Sequence, residues 1–318
     1  MKSRVGEVAL PAVQAKSAAR LRIPAAKWRK SKEAILGYSF LAPSLLLFGM
    51  FLFYPLVQSV YLSFHITDPR GRVAAYVGLD NFTTLLASDM LWNSLKVTAI
   101  FALLTVPTGI ILGIISAALT HIRSRGMKLF QFMFSMPLAM SVSTSAVIWT
   151  ILFHPSLGIF NYLLSLAGIA PVQWLTSPST ALLSISLMTV WMNFGFNYII
   201  VLSGLQSIPD DLVESAKIDG AGPIRAFIQI VLPLLSPTLF FLTVISIISS
   251  FQAFGQIHLL TKGGPAGATE VFVYSIYKEA FVNYQYGTGS ALALILFVIV
   301  LILTIIQFAV VEKKVHYQ

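Results

Sequence analysis

Apolar residues fall into six long runs separated by short polar segments, at roughly 36–64, 94–120, 129–153, 180–203, 234–258 and 290–311. Each reaches the ~20 residues of helix that cross a hydrocarbon core. Within a run the apolar positions are continuous rather than alternating, which predicts helices and not barrel strands. Pro43, Pro55, Pro107 and Pro237 lie within these runs or at their ends, as packed membrane helices tolerate and soluble ones seldom do. The pattern predicts an all-α polytopic membrane protein with six transmembrane helices. The connections 65–93, 154–179 and 259–289 are each too short to bury a core of their own.

Composition supports that class. Of 318 residues, 57% are hydrophobic and 10% charged, against ~25% charged in a soluble domain, and mean hydropathy is +0.82. There is no Cys, which excludes disulfides, thiolate chemistry and Cys-based metal sites. The net charge of +9 flanks the apolar runs, so it speaks to topology and not to nucleic acid. Sixteen of the 21 Lys and Arg lie in residues 1–35, 123–128, 217–225 and 313–314; the other five are Arg70, Arg72, Lys96, Lys262 and Lys278. The positive-inside rule then places both termini in the cytoplasm. Residues 1–35 read as a basic, irregular cytoplasmic tail, or as a lipid-binding amphipathic segment, and 36–318 as the membrane domain. The first run is too long for the apolar region of a cleaved signal, and no small-residue cleavage site closes it.

Chemistry is sparse. No GxxxxGK[ST], HExxH or GxSxG motif occurs, and His65, His121, His154, His258 and His316 are scattered, so neither a catalytic nor a metal site is expected. Polar residues gather in the fourth run (Thr189, Trp191, Asn193, Asn197) and the fifth (Ser250, Gln252, Gln256). They suit a hydroxylated solute or hydrogen bonds between helices. A GxxxG pair, Gly109 and Gly113, suits close helix approach, at a subunit interface or elsewhere. No acid lies inside a run, and Lys96 sits at a run's edge. Ion-coupled transporters place ionisable groups inside the membrane, so this favours a pathway driven by a separate motor. A stand-alone secondary transporter, a channel or an intramembrane enzyme is the alternative.

The cytoplasmic insert 204–233 is patterned. Ser207 can cap, Pro209, Asp210 and Asp211 fit a first helical turn, and Leu212, Val213 and Ala216 share an apolar face. The helix should stop at Asp219-Gly220. Pro223 should start a second helix over 223–231, and Pro233 should break it where the fifth span begins. Two short helices joined by a tight turn suit docking on another protein. The spacing Glu214-Ser215-Ala216, Gly220, Ile230-x-Leu232-Pro233 resembles the "EAA…G…I-LP" loop of permease subunits in binding-protein-dependent ABC importers, with Ser215 in place of the usual first Ala. "LQSIPDDLVESAKIDGAGPIRAF", "LLTKGGPAGAT" at 259–269 and the ending "VEKKVHYQ" are similar to the sugar and glycerol-3-phosphate branch.

The resemblance implies a type I importer permease in the bacterial plasma (inner) membrane. It implies as partners a second related permease subunit, two ATPase subunits and an extracytoplasmic solute-binding protein, within the lipid bilayer. The chain itself would bind no cofactor; ATP and Mg would belong to the ATPases. Glu214, Ser215, Ala216, Asp219, Gly220, Ile230, Leu232 and Pro233 would couple to the ATPase. Alignment on Pro137, Trp191 and the Gly-Gly-Pro turn puts Leu138, Thr189, Asn193, Ser250 and Gln252 on the solute path, Leu138 standing where maltose-type permeases have an aromatic. Gly263, Gly264, Pro265 and Tyr277, with the aromatics Phe272, Tyr274, Phe281, Tyr284 and Tyr286, read either as an interfacial belt or as a docking surface for the binding protein. No span supplies the Arg or Lys a phosphate ordinarily wants. Either a partner reads the phosphate or the solute is neutral.

Overall fold

The computed structural model describes residues 24–121 and 126–311. The basic residues expected at 2–22, 123–125 and 313–314 lie outside them, as does the ending from 312. By packing the chain divides into residues 1–58 and 59–318. The first unit is helical from Pro24: α1 (Pro24–Phe48) passes through a wide π turn, Gly49–Phe53, into the start of α2 (Tyr54–Ser63). The helix therefore begins inside the segment expected to be an irregular tail. The first apolar stretch is helical from Ile35 to Ser63.

The second unit is a helical bundle. Its long helices are α4 (Asp89–Thr120), α8 (Ala181–Gln206), α12 (Ser236–Phe251) and α15 (Tyr286–Ile306). Among the described residues, five helical stretches are long and apolar enough to cross a membrane, and a bent pair makes a sixth. Several hydroxyls of the bundle bond within their own helix. Thr98, Thr105 and Thr120 donate to the carbonyls of Ser94, Phe101 and Ser116, 2.7–2.8 Å away on their own helix, which satisfies them where no water competes.

Two of the predicted spans are not straight rods. The third is α5 (Met127–Ser135), a 3₁₀ turn (Met136–Ala139) and α6 (Val142–Leu152), bent by 103°. Pro137 cannot donate to a helical ladder, and Ser141 starts α6 afresh by accepting from the Thr144 N–H at 3.1 Å. The fifth unwinds after Phe251 and resumes as α13 (Gly255–Leu260). The two breaks meet, because a Cβ on Gly255 would lie 2.9 Å from Val142 Cγ1. Gly195 of α8 seats the other side of the bend: a Cβ there would meet the Leu138 nitrogen and the Ser135 carbonyl, both at 2.9 Å.

The connections are more ordered than their lengths suggested. Residues 65–86 form a hairpin, β1 (His65–Thr67) against β2 (Val73–Tyr76), and helix α3 (Asp80–Leu86); among the described residues this small antiparallel pair is the departure from an all-α fold. Asn81 donates to the Ser63 and His65 carbonyls at 2.8 and 3.1 Å, and the Gly287 N–H at the start of α15 reaches Thr67 Oγ1. In the next connection, α7 (Ile159–Leu166) brings buried Asn161 to four hydrogen bonds with Pro155, Val172 and Trp174. Beyond it Trp149, Phe153, Phe160 and Trp174 form an aromatic cluster.

Candidate functional site

The Gly109–Gly113 pair lies inside the chain rather than at a subunit face. It makes the groove into which α8 packs. A methyl on Gly109 would stand 2.7 Å from Asn197 Nδ2, and one on Gly113 would meet the Asn197 backbone at 3.2–3.3 Å. This close crossing turns a run of polar α8 residues inward: Thr189 and Asn197 are 5% and 3% exposed. Thr189 donates to the Ile185 carbonyl and accepts from Gln256 Nε2 at 3.3 Å. The Asn197 amide has no hydrogen-bond partner among the described residues.

These side chains line a cavity of about 280 Å³ between α4, α8 and α12, at the meeting point of the two breaks. Thr189, Asn193, Ser250 and Gln252, expected on the solute path, are all in its wall. Leu138 is not. It is half exposed on the 3₁₀ turn, where the bend packs over Gly195. Asn197 and Gln256, polar residues evident in the sequence, join the wall, as do Thr105, Ser246 and Phe254. Thr105 and Ser246 carry no signal that distinguishes them from other hydroxyls along an apolar helix. No lining residue is ionisable. The cavity therefore offers neutral amides and hydroxyls, with Phe254 as an aromatic wall, a set that fits hydroxyl-bearing molecules.

The insert at the other end of α8 forms two short helices. Ser207 closes α8 by donating to the Gly204 carbonyl at 2.7 Å, and Pro209, not Ser207, occupies the cap of α9 (Asp210–Ile218). Three bonds end α9: Asp219 N–H to Ser215, Gly220 N–H to Lys217 and Ala221 N–H to Ala216, at 2.9–3.0 Å. The last two are a Schellman closure, which needs the left-handed φ of +80° that Gly220 adopts. The second helix runs on through Pro233: α10 (Pro223–Ala226), a π turn (Phe227–Val231) and α11 (Leu232–Leu234) lead to Leu235, where α12 follows. Pro233 does not break it, since the wide turn, in which Leu232 bonds back to Phe227, already departs from the ladder a proline would interrupt.

Val213 and Ala216 turn inward from α9 and Leu232 and Pro233 are half-buried, whereas Glu214, Ser215 and Asp219 are exposed and Ile230 is intermediate. Glu214, Asp210, Lys217 and His121 edge a cleft of about 440 Å³ between the insert and the ends of α4 and α8. At the tip, Ile218 and Ile224 are 86% and 75% exposed.

The profile of the family described as "Binding-protein-dependent transport system inner membrane component" matches residues 109–316. The chain belongs to this family. The inner membrane component is 40% identical over 286 residues to the sn-glycerol-3-phosphate transport system permease protein UgpA of Agrobacterium fabrum strain C58, covering 89% of this chain and 97% of that protein. Its fold matches the crystal structure of a bacterial ABC transporter involved in the import of the acidic polysaccharide alginate, with a TM-score of 0.81 and 26% identity over 91% of this chain and 99% of the other. A structure of the bacterial alginate ABC transporter in complex with an alginate pentasaccharide-bound periplasmic protein matches with a TM-score of 0.80. The inner membrane component is thus a polytopic ABC importer permease.

In this permease the Gly-Gly-Pro segment is an internal clasp. Gly263 is buried against Tyr274, whose ring stands 2.8 Å from where a Cβ would be. Thr269 Oγ1 holds the Gly264 carbonyl at 2.6 Å, and Gly264 and Pro265 are half-buried. Tyr277 is not exposed: it sits among Phe254, His258, Tyr274 and Phe281, and neighbouring Lys278 pairs with Glu270 at 3.1 Å. Burial raises the pKa of the Tyr274 phenol, with Tyr277 and Glu270 adding to the effect.

Proposed function

We propose that this permease carries a polyhydroxylated solute, a glycerol phosphate or a sugar, into the cell, and that the insert 204–233 couples it to an ATPase. The observation that carries the reading is the cavity at the two helix breaks, whose wall is neutral amide, hydroxyl and aromatic. A wall without ionisable groups supports an external motor over ion coupling. The names of the relatives support the solute class. The exposed helical hairpin, with Glu214 beside its apolar tip, supports docking in a cleft of an ATPase subunit, one for this chain and one for a second permease subunit. ATP and Mg would reside there. The complex of a neighbour with a periplasmic protein supports delivery of solute by a binding protein, with the clasp 263–277 shaping the receiving surface. The Lys and Arg distribution supports cytoplasmic termini.

In this reading Glu214 anchors the hairpin through a charge-assisted bond to a basic group, and removing one partner of a buried charged pair costs about 3–5 kcal/mol. Glu214→Ala should leave the permease inserted and bound to its permease partner, while the ATPase dissociates during purification and uptake is lost. Copurification through a tag on this chain, with uptake into vesicles containing the complete complex, measures both. Retention of normal uptake and of the ATPase would overturn the coupling role.

A further inference from the structure

A short helix between the third and fourth spans holds an apolar face away from the protein. In the eight-residue α7, Ile159, Tyr162, Leu163 and Leu166 fall on one side at helical spacing, and each is more than half exposed. The opposite side faces inward: Phe160 packs on Trp149 and Trp174, and buried Asn161 makes its four bonds. At the start of the helix Gly158 is pressed against the carbonyl of Leu152, the last residue of α6, and a side chain there has no room. The exposed face is therefore held outward by the packing behind it. Contiguous apolar patches of this kind are covered by a partner or by lipid.

Charge decides between them. No Asp, Glu, Lys or Arg occurs from residue 129 to residue 209. The other two long connections carry several, among them Asp68, Arg70 and Arg72 in one and Glu270, Lys278 and Glu279 in the other. A surface that receives a soluble protein keeps a polar or charged rim and uses aromatic or Arg anchors. Here the rim is Ser156, Ser165 and Gln173, and the face is mostly Leu and Ile. Lipid asks only for apolar area, with an amphipathic ring at headgroup depth, as Tyr162 offers. The exposed surface also continues that of α6, running from Val147 and Ile151 through Leu157 to α7. At a length of about 12 Å, α7 is too short to cross the membrane. We propose that α7 is an interfacial helix, seated by this face in the bilayer surface at the end of the third span. Because Phe160 packs on Trp149 of α6, the seat holds that half of the bent span at a fixed depth. The proposal is independent of the solute and of the coupling role of the insert.

The test reads depth in the complete complex, held in nanodiscs of neutral phosphatidylcholine. The chain has no native cysteine, so Tyr162→Cys, Leu163→Cys and Leu166→Cys each add a single nitroxide site to it. The complex with the unsubstituted permease gives the background from the other subunits. Power saturation compares accessibility to oxygen, which concentrates in lipid, with accessibility to a water-soluble nickel chelate. Arg70→Cys, between the two strands of the charged hairpin, is the aqueous reference. The oxygen-to-nickel ratio should be severalfold higher at Leu163 and Leu166 than at Arg70, and intermediate at Tyr162. It should not change when phosphatidylglycerol is added, because no charge contributes to the seat. A ratio at Leu163 and Leu166 equal to that at Arg70 would place the face in water. Low accessibility to both reagents would place it under protein, either a second permease subunit or a binding protein. Each of these results would overturn the proposal, as would a depth that depends on anionic lipid.

Discussion

Single residues do unequal work along the α4–α8 seam. Gly113 faces the Asn197 backbone, which cannot step aside, whereas Gly109 faces the end of the Asn197 side chain. Ala is the better helix former by ~1 kcal/mol, so the sign of each substitution depends on that difference. Gly113→Ala should be destabilising by about 1–2 kcal/mol as the helices are forced apart. Gly109→Ala should be close to neutral for stability but should displace the Asn197 amide and weaken solute binding. Thermal unfolding of the detergent-solubilised protein separates the two; equal loss of stability in both variants would contradict this reading of the groove. Asn161 works differently, through chemistry rather than absence of bulk, since its single amide supplies four bonds within the 154–174 connection.

At the scale of elements, α9 and the helix from Pro223 to Leu234 behave as a hinged pair whose geometry depends on one turn. Gly220 has open space around it, so a larger side chain meets no neighbour there. The strain arises only from φ, at about 1–2 kcal/mol for an L-residue in the left-handed region. Gly220→Val should therefore leave insertion and permease pairing intact and alter the angle between the two helices. Solute-stimulated ATP hydrolysis and uptake, measured in vesicles with the complete complex, should both fall. Normal values for both would make the insert a passive connection. The broken third and fifth spans are the complementary case, in which the breaks lie beside a cavity, where irregular structure is tolerated.

For the whole molecule the chief prediction is topological. The uneven distribution of Lys and Arg predicts that both termini lie inside. Reporter fusions after residues 75, 165 and 275 should report an external location, and fusions near 125, 217 and 315 an internal one. A fusion at 217 that reports outside would remove the insert from reach of any cytoplasmic ATPase. The predicted orientation would put the clasp 263–277 and the hairpin 65–76 on the outer side, opposite the insert.

Six spans, the membrane class, the two helices of the insert and the Gly220 turn follow from the sequence alone, because continuous apolarity, charge bias and helix-stop chemistry are local properties. Four of five expected path residues line one cavity for a similar reason: amides and hydroxyls are rare enough in apolar runs to stand out. Contacts between distant segments decided the rest. The 103° bend shows in sequence only as Pro137 followed by Ser141, and the fifth-span break only as a glycine; each is fixed by what packs on it, Gly195 below one and Val142 against the other. Leu138 left the cavity and Asn197 entered it for the same reason. Tyr277, apparently a surface aromatic, is enclosed by four rings from elements on either side of the clasp. Local sequence determines whether a residue can be helical or apolar; which face meets which partner is set by close packing among segments up to 220 residues apart, as in the bond from the Gly287 N–H to Thr67 Oγ1.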